Sequence, residues 1–174
     1  MSSISNFLGK FKTGEFARPN RFDVLISFPT ALTVDYKDIV YRCESAELPA
    51  RTLATTEQRI YGPIEKHPYL TTFNDIDLTF IVDNALKQRA IFDKWMDYVN
   101  PSESYDFKYK GDYAGTINIK QYNDQNIVIY EVDLLDAYPV SIGQLALDWG
   151  SDGYHKLNVT FAYTKWVKKV AAVY

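Results

Sequence analysis

The sequence is poor in the residues that build reactive centres. It has one cysteine, Cys43, and two histidines, His67 and His155. One cysteine excludes an internal disulfide, and three residues of these types cannot supply a Cys/His zinc site within the chain. No apolar run reaches the roughly 18 residues that a spanning helix needs, and the stretch MSSISNFLGKFKTGEFARPN lacks the apolar centre of a secretory signal. A soluble chain made in the cytosol is therefore expected, with no membrane insertion. Eight glycines and seven prolines form no GxGxxG, P-loop or GxSxG pattern, so no phosphate-cradling loop or nucleophile elbow is expected.

Three residual chemistries can be weighed. Cys43 with His67 is the thiol–imidazole pair to weigh, and a small cytosolic hydrolase is the competing function it would support. Nothing in their spacing signals catalysis, and a lone cysteine on a strand is more often apolar filler. Asp148, Ser151 and Asp152 in DWGSDG could be oxygen ligands for a cation, but the spacing lacks the further ligands of a calcium loop and reads as a turn. Asp75 with Asp77, and Asp133 with Asp136, could be paired acids. Asp75 and Asp77 fall opposite Ile76 and Leu78 on a strand, which makes a solvated face the cheaper reading. No enzyme, cofactor or metal site is expected.

What the chain does have is apolar and aromatic mass. Hydrophobic residues make up 47% and aromatics 16%, with 14 Tyr against 10 Phe and 3 Trp. At 174 residues this fills the core of one domain, 1–174, and tyrosine suits half-buried faces and protein interfaces. The formal charge of −3 is unevenly distributed. Residues 1–21 carry Lys10, Lys12, Arg18 and Arg21 against Glu15, and residues 165–174 carry Lys165, Lys168 and Lys169 without an acid. The acidic body between these basic ends would repel nucleic acid rather than grip it.

Alternation identifies the strands. FDVLISF places Phe22, Val24, Ile26 and Phe28 on one side, and DIDLTFIVD does the same with Ile76, Leu78, Phe80 and Val82. YKDIVYRCES (36–45), TTEQRIYG (55–62, with Thr56, Gln58 and Ile60 on one face), YDFKYK, GTINIKQY, NIVIYEVDLLDAYPVSI and a final strand bearing Leu157, Val159, Phe161 and Tyr163 complete the β content. YNDQN and WGSDG read as turns. Between the strands, Asp83 or Asn84 can cap a helix at about 84–99. Its apolar positions are Leu86, Ala90, Ile91, Trp95, Tyr98 and Val99, and Asn100-Pro101 ends it.

The expected fold is mainly β (α+β): a β-sandwich or barrel of about eight strands with one flanking α-helix. Residues 46–70, AELPARTLATTEQRIYGPIEKHPYL, are too long and too weakly alternating for a tight hairpin, and are expected to project as a long arm. That arm, the charge polarity, and the apolar and basic ending VKKVAAVY together favour self-assembly.

The order of landmarks resembles the tail tube proteins of contractile-tailed bacteriophages of the T4-like group, over nearly the whole chain. The stretches that carry the resemblance are ARPNRFDVLISFP, RCESAELPARTL leading into EQRIYGP, FNDIDLTFIVD before IFDKWMDYVN, the tyrosine-bearing YKGDYAG, and EVDLLDAYPVSIGQLALDW followed by YHKLNVTFAYTKW. The resemblance implies a structural virion protein that assembles as stacked hexameric rings into a hollow tail tube. A sheath would surround the tube and a tape-measure protein would fill it during assembly in the host cytoplasm. Baseplate and tail-terminator proteins would bound it, and DNA would pass through without specific binding. A tube-initiating baseplate protein, or the tube of a contractile injection particle, would share these features.

Carried onto this sequence, the resemblance makes the arm at 46–70 a long projecting hairpin that reaches a neighbouring ring. Candidate interface residues are Arg18 and Arg21 in the basic N-terminal segment, Glu47, Arg51, Thr55, Gln58, Arg59 and Tyr61 on the arm, and Lys168 and Lys169 near the other end. A lumen through which DNA slides should repel phosphate, so Asp75, Asp77, Glu131 and Asp133 are candidates to face it.

Overall fold

The computed structural model describes residues 4–5, 8–9, 17–32, 37–59, 61–150 and 152–170. Lys10, Lys12 and Glu15 of the basic N-terminal segment, Ile60 of the arm, Ser151 of the DWGSDG turn and the last four residues of the apolar ending lie outside them.

The described residues contain nine strands: β1 Phe22–Ser27, β2 Cys43–Ala46, β3 Thr52–Gln58, β4 Glu65–Thr72, β5 Ile76–Ile81, β6 Gly115–Tyr122, β7 Val128–Ile142, β8 Lys156–Ala162 and β9 Lys165–Val170. Three helical segments join them: α1 Lys37–Val40, α2 Lys87–Val99 and α3 Lys110–Tyr113. Seven strands hydrogen-bond in the order β1-β6-β7-β8-β5-β2, with β9 added on β7, while β3 and β4 pair only with each other.

β7 makes this sheet into two layers. Its first half pairs with β6 and β9, and its last residues pair with β8. The change of partner falls at Asp136, which has φ +55 and is skipped in the pairing between Leu135↔Thr116 and Ala137↔Gly115. Such a bulge bends and twists the strand, so β7 leaves one layer and enters the other. The β8–β9 connection crosses at the same corner, where the Thr164 amide donates to the Leu135 carbonyl at 3.0 Å and its hydroxyl to Asp136 Oδ2 at 3.0 Å.

Between the layers lies one apolar core. Val24, Ile26, Ile117, Ile119, Val132 and Leu134 come from the first layer, and Ile76, Leu78, Phe80, Leu157, Val159 and Phe161 from the second. Apart from Val132 and Leu134 on β7, these are the residues that alternation placed inward on β1, β5, β6 and β8. Helix α2 covers the part of the second layer that the first does not reach. Its Phe92 ring stands 5.1 Å from Phe80 and 5.9 Å from Phe161, and Trp95 lies 4.9 Å from Phe28. Trp95 is fully buried, so its indole N–H needs an acceptor; it donates to the Tyr113 carbonyl at 2.9 Å. Gly115 is required beside it, because a Cβ there would fall 2.4 Å from the Ser27 carbonyl oxygen.

Three sequence expectations change. YKDIVYRCES was expected as one strand, but its first half turns as α1. A strand would bury Ile39 and Tyr41 on the same side, whereas Ile39 is in the core and Tyr41 is 86% exposed. YDFKYK is not a strand: Tyr105, Phe107 and Tyr109 are all exposed, no strand among the described residues pairs with them, and α3 begins at Lys110. The helix begins at Lys87, and Leu86 and Ala90 do not face the core. Phe92, Trp95 and the polar Gln88 do, because the Gln88 carboxamide oxygen accepts from the Asp83 amide at 2.9 Å. Asp83 does bond the first turn, accepting from the Lys87 amide at 2.9 Å.

Candidate functional site

Among the described residues the arm is a largely uncovered element. β3 and β4 form an antiparallel ladder from Thr52↔Thr72 out to Gln58↔Glu65, with an extra residue on β4 between Leu70 and Pro68. Pro68 cannot donate to a ladder, and it sits beside that irregularity as such residues do. All of β3 and β4 is exposed except the half-buried Ala54 and Thr71. Gly62, with φ +96, turns the tip. A lone two-stranded ribbon is marginal in water, yet this one displays Leu53, Ile64, Leu70 and Tyr69 at 50 to 68% exposure, and Tyr61 at 100%. Apolar residues on both faces and two open strand edges are a liability unless another surface covers them.

The interface candidates divide by location. Glu47, Arg51, Thr55, Gln58, Arg59 and Tyr61 are exposed and lie along the arm or at its root. Arg18 and Arg21 instead clasp the chain's own β6–β7 turn, reaching Asp124 Oδ1 at 3.4 and 3.3 Å; Arg21 also donates to Asn126 Oδ1 at 3.0 Å. Lys168 stands over the Tyr130 ring at 5.2 Å, and Lys169 pairs with Asp133 at 2.6 Å, so these lysines hold β9 to β7. The extended hairpin that the resemblance implied for the arm is present as β3 paired with β4; patterning alone placed a strand only on its first side and did not single out Ile64, Tyr69 and Leu70. Apolar residues set among polar ones in IEKHPYL were the available signal.

The four lumen candidates separate onto two outward faces. Glu131 and Asp133 lie on β7 in the first layer, Asp77 on β5 in the second, and Asp75 just before β5. Around Asp133 the groups are tightly matched. The Asn118 amide donates to Asp133 at 2.6 Å and to Glu131 at 2.8 Å, and Lys120 lies 3.8 Å from Glu131. Burial pushes the Asp133 carboxyl up, but hydrogen bonds from Asn118 and Lys169, with the charges of Lys169 and Lys120, outweigh it and hold the group below its ordinary range. Asp77 accepts from the Thr160 hydroxyl at 2.6 Å, and neither it nor Asp75 has a cationic partner among the described residues. Uncompensated negative charge therefore lies on the second layer's face.

The reactive-site alternatives find no geometry. Burial, with the Asp23 charge adding to it, raises the Cys43 thiol to about 12, which leaves no useful thiolate at neutral pH. His67 is on the arm, 3.6 Å from Glu65, whereas Cys43 packs against the core on β2. Asp148 Oδ1 accepts from the Gly150 amide at 3.0 Å, an Asx-type turn contact.

A second surface with exposed apolar side chains set among polar ones borders the N-terminal end of α2. Two adjoining hollows share Leu147 and His155; one includes Trp149 and Tyr154, and the other Leu86 and Arg89. Leu147 is 87% exposed and Trp149 fully so.

Comparison with known proteins gives this geometry a context. A family model described as phage tail tube protein matches residues 17–169. Tail tube protein gp19 of Enterobacteria phage T6 is 26% identical over 159 residues, covering 90% of this chain and 94% of the relative. The same protein of Enterobacteria phage T4 is 26% identical over 162 residues, with the same coverage. Among solved structures, a chain of the anti-feeding prophage baseplate superposes with a TM-score of 0.69 at 20% identity, over 91% of this chain and 98% of that one. A chain of the PVC sheath–tube complex, an extracellular contractile injection system in its extended state, gives 0.66 at 16% identity over 98% and 100%. At these identities the two structures speak for the fold.

Proposed function

The chain belongs to the phage tail tube protein family, and on that premise we propose that it polymerises as stacked six-membered rings whose lumen carries phage DNA into the host. The family is structural rather than enzymatic, and its members are components of phage tails. The observation that carries the finer reading is the arm, a ribbon with apolar side chains on both faces that its own subunit leaves uncovered. Burial against another subunit stabilises such a ribbon and removes its open edges from solvent.

A heterologous contact that closes at six makes a ring, and ring faces that complement rather than mirror each other stack without limit. β1 and β9 at the edges of the first layer, and β2 at the edge of the second, are the strands through which neighbours within a ring could extend the sheet. Sheath protein is proposed to cover the outside, with a tape-measure protein inside during assembly in the host cytoplasm and baseplate and terminator proteins at the ends. Asp75 and Asp77 are proposed for the lumen wall, since Lys120 and Lys169 neutralise Glu131 and Asp133.

Negative-stain microscopy of the purified full chain, over a range of concentrations and with baseplate seeds, tests the reading. Rings or tubes of uniform width are expected. Monomers under every condition would refute it, and tight, salt-sensitive duplex DNA binding by assembled tubes would refute the acidic lumen.

A further inference from the structure

The arm and the groove beside α2 lie at opposite ends of the second layer. The arm's two strands join the body near the start of β5, through Ala46 at the end of β2 and through Thr72 at the end of β4. The groove begins where β5 ends: the Val82 amide donates to the His155 carbonyl at 3.0 Å, and Asp83, Leu86 and Leu147 follow around the rim. One subunit thus carries an uncovered apolar prong at one end of β5 and an uncovered apolar groove at the other. A copy displaced along that strand direction brings prong to groove, and the contact repeats because the two surfaces differ.

The two surfaces also carry complementary groups. On the arm Lys66 is paired with Glu57 at 3.6 Å and Arg59 has no acidic partner among the described residues, while Asp148 and Asp152 beside the groove have no cationic partner among them. The tip's Tyr61 and Ile64 are a large ring and a branched side chain, and the groove offers Leu86, Leu147 and Trp149 to receive them.

We propose that this groove is the seat of the arm tip of the next copy along the tube, with Tyr61 and Ile64 entering beside Leu86 and Leu147 and Arg59 facing Asp148 and Asp152. The assignment rests on the ring-stacking reading above and names the acceptor which that reading leaves open. Contact between arm tip and groove turns two exposed patches into one interface centred on aromatic and aliphatic anchors with an ionic rim.

Disulfide trapping tests it. Tyr61→Cys and Leu147→Cys are placed together in a Cys43→Ala background, tubes are assembled, and a mild oxidant is applied. The expected product on a denaturing gel is a covalent ladder that continues past six subunits, because a contact along the axis links rings without closing. A ladder that stops at six, a bond within one chain, or intact tubes with no cross-link would overturn the groove assignment and leave ring stacking standing. A wild-type chain that never assembles would overturn both. Should the cysteines themselves block assembly, the charge pair decides: Arg59→Asp should lower tube yield at least tenfold and Asp148→Arg in the same chain should restore it. Failure to restore assembly overturns the proposal.

Discussion

Removing the arm should separate folding from assembly. Thr52 and Thr72 are paired at its root, so residues 53–71 can be replaced by Asn-Gly, which closes two antiparallel strands in a tight turn. Within the subunit the ribbon shields little, since only Ala54 and Thr71 of its strands are even half-buried. A ribbon that is marginal alone contributes little to subunit stability, and urea unfolding should shift by no more than about 1 kcal/mol. Between subunits the effect is large. Completing the burial of Leu53, Ile64, Leu70, Tyr69 and Tyr61, the first four already partly covered, contributes on the order of 1 kcal/mol each at the usual apolar coefficient. The sum, about 5 kcal/mol per arm, corresponds to roughly 10³- to 10⁴-fold in each contact. Sedimentation and microscopy at matched concentration should find a folded subunit and no tubes. Tubes of native length from the shortened chain would refute the reasoning, and so would a shortened chain that does not fold.

Other outcomes follow from the core and from the titrating groups. Trp95→Ala removes a fully buried ring and its hydrogen bond to Tyr113, and should cost about 3–5 kcal/mol in urea unfolding. Cys43 should resist alkylation at pH 8 in the folded chain and react once the chain is unfolded. Its folded-state pKa is raised to about 12 from 9.0, so its contribution to stability is complete below pH 9 and is lost as pH rises toward 12. Asp133 has the opposite sign: its pKa is lowered from 3.8, so its contribution is present above that value and is lost as pH falls below it. Asp133→Asn should therefore flatten the acid limb of the stability profile, and an unchanged limb would mean that the Lys169 and Asn118 contacts carry no net stabilisation.

The strands were legible where alternation is local and uninterrupted. In β1, β5 and β8 one face is packed and the other more open, so each strand announces its inward residues without reference to its partner, while β6 keeps the alternation in residue type although Asn118 on its other face is also buried. GTINIKQY even has the observed bounds of β6. The arm was legible by its lack of such alternation and its hairpin form by the resemblance, although patterning alone did not mark its second strand. Legibility failed where a residue's environment comes from elsewhere in the chain. Tyr105, Phe107 and Tyr109 alternate like a strand but meet no partner. Gln88 looks like a surface residue and is buried because the Asp83 amide meets it.

Composition and pattern alone established a mostly β subunit with one principal helix and a long arm, and an order of landmarks shared with tail tube proteins. They did so because side-chain period, turn chemistry and the scarcity of reactive residues are properties of short stretches. Tertiary structure alone decided that β7 bends at Asp136 to serve both layers. It also decided that the four acids offered as lumen candidates lie on two faces, with one pair neutralised by lysines, and that the arm and the groove occupy opposite ends of β5. These facts depend on which distant strands pair and in what register, and pairing is settled by burying one common core rather than by any segment's own preference.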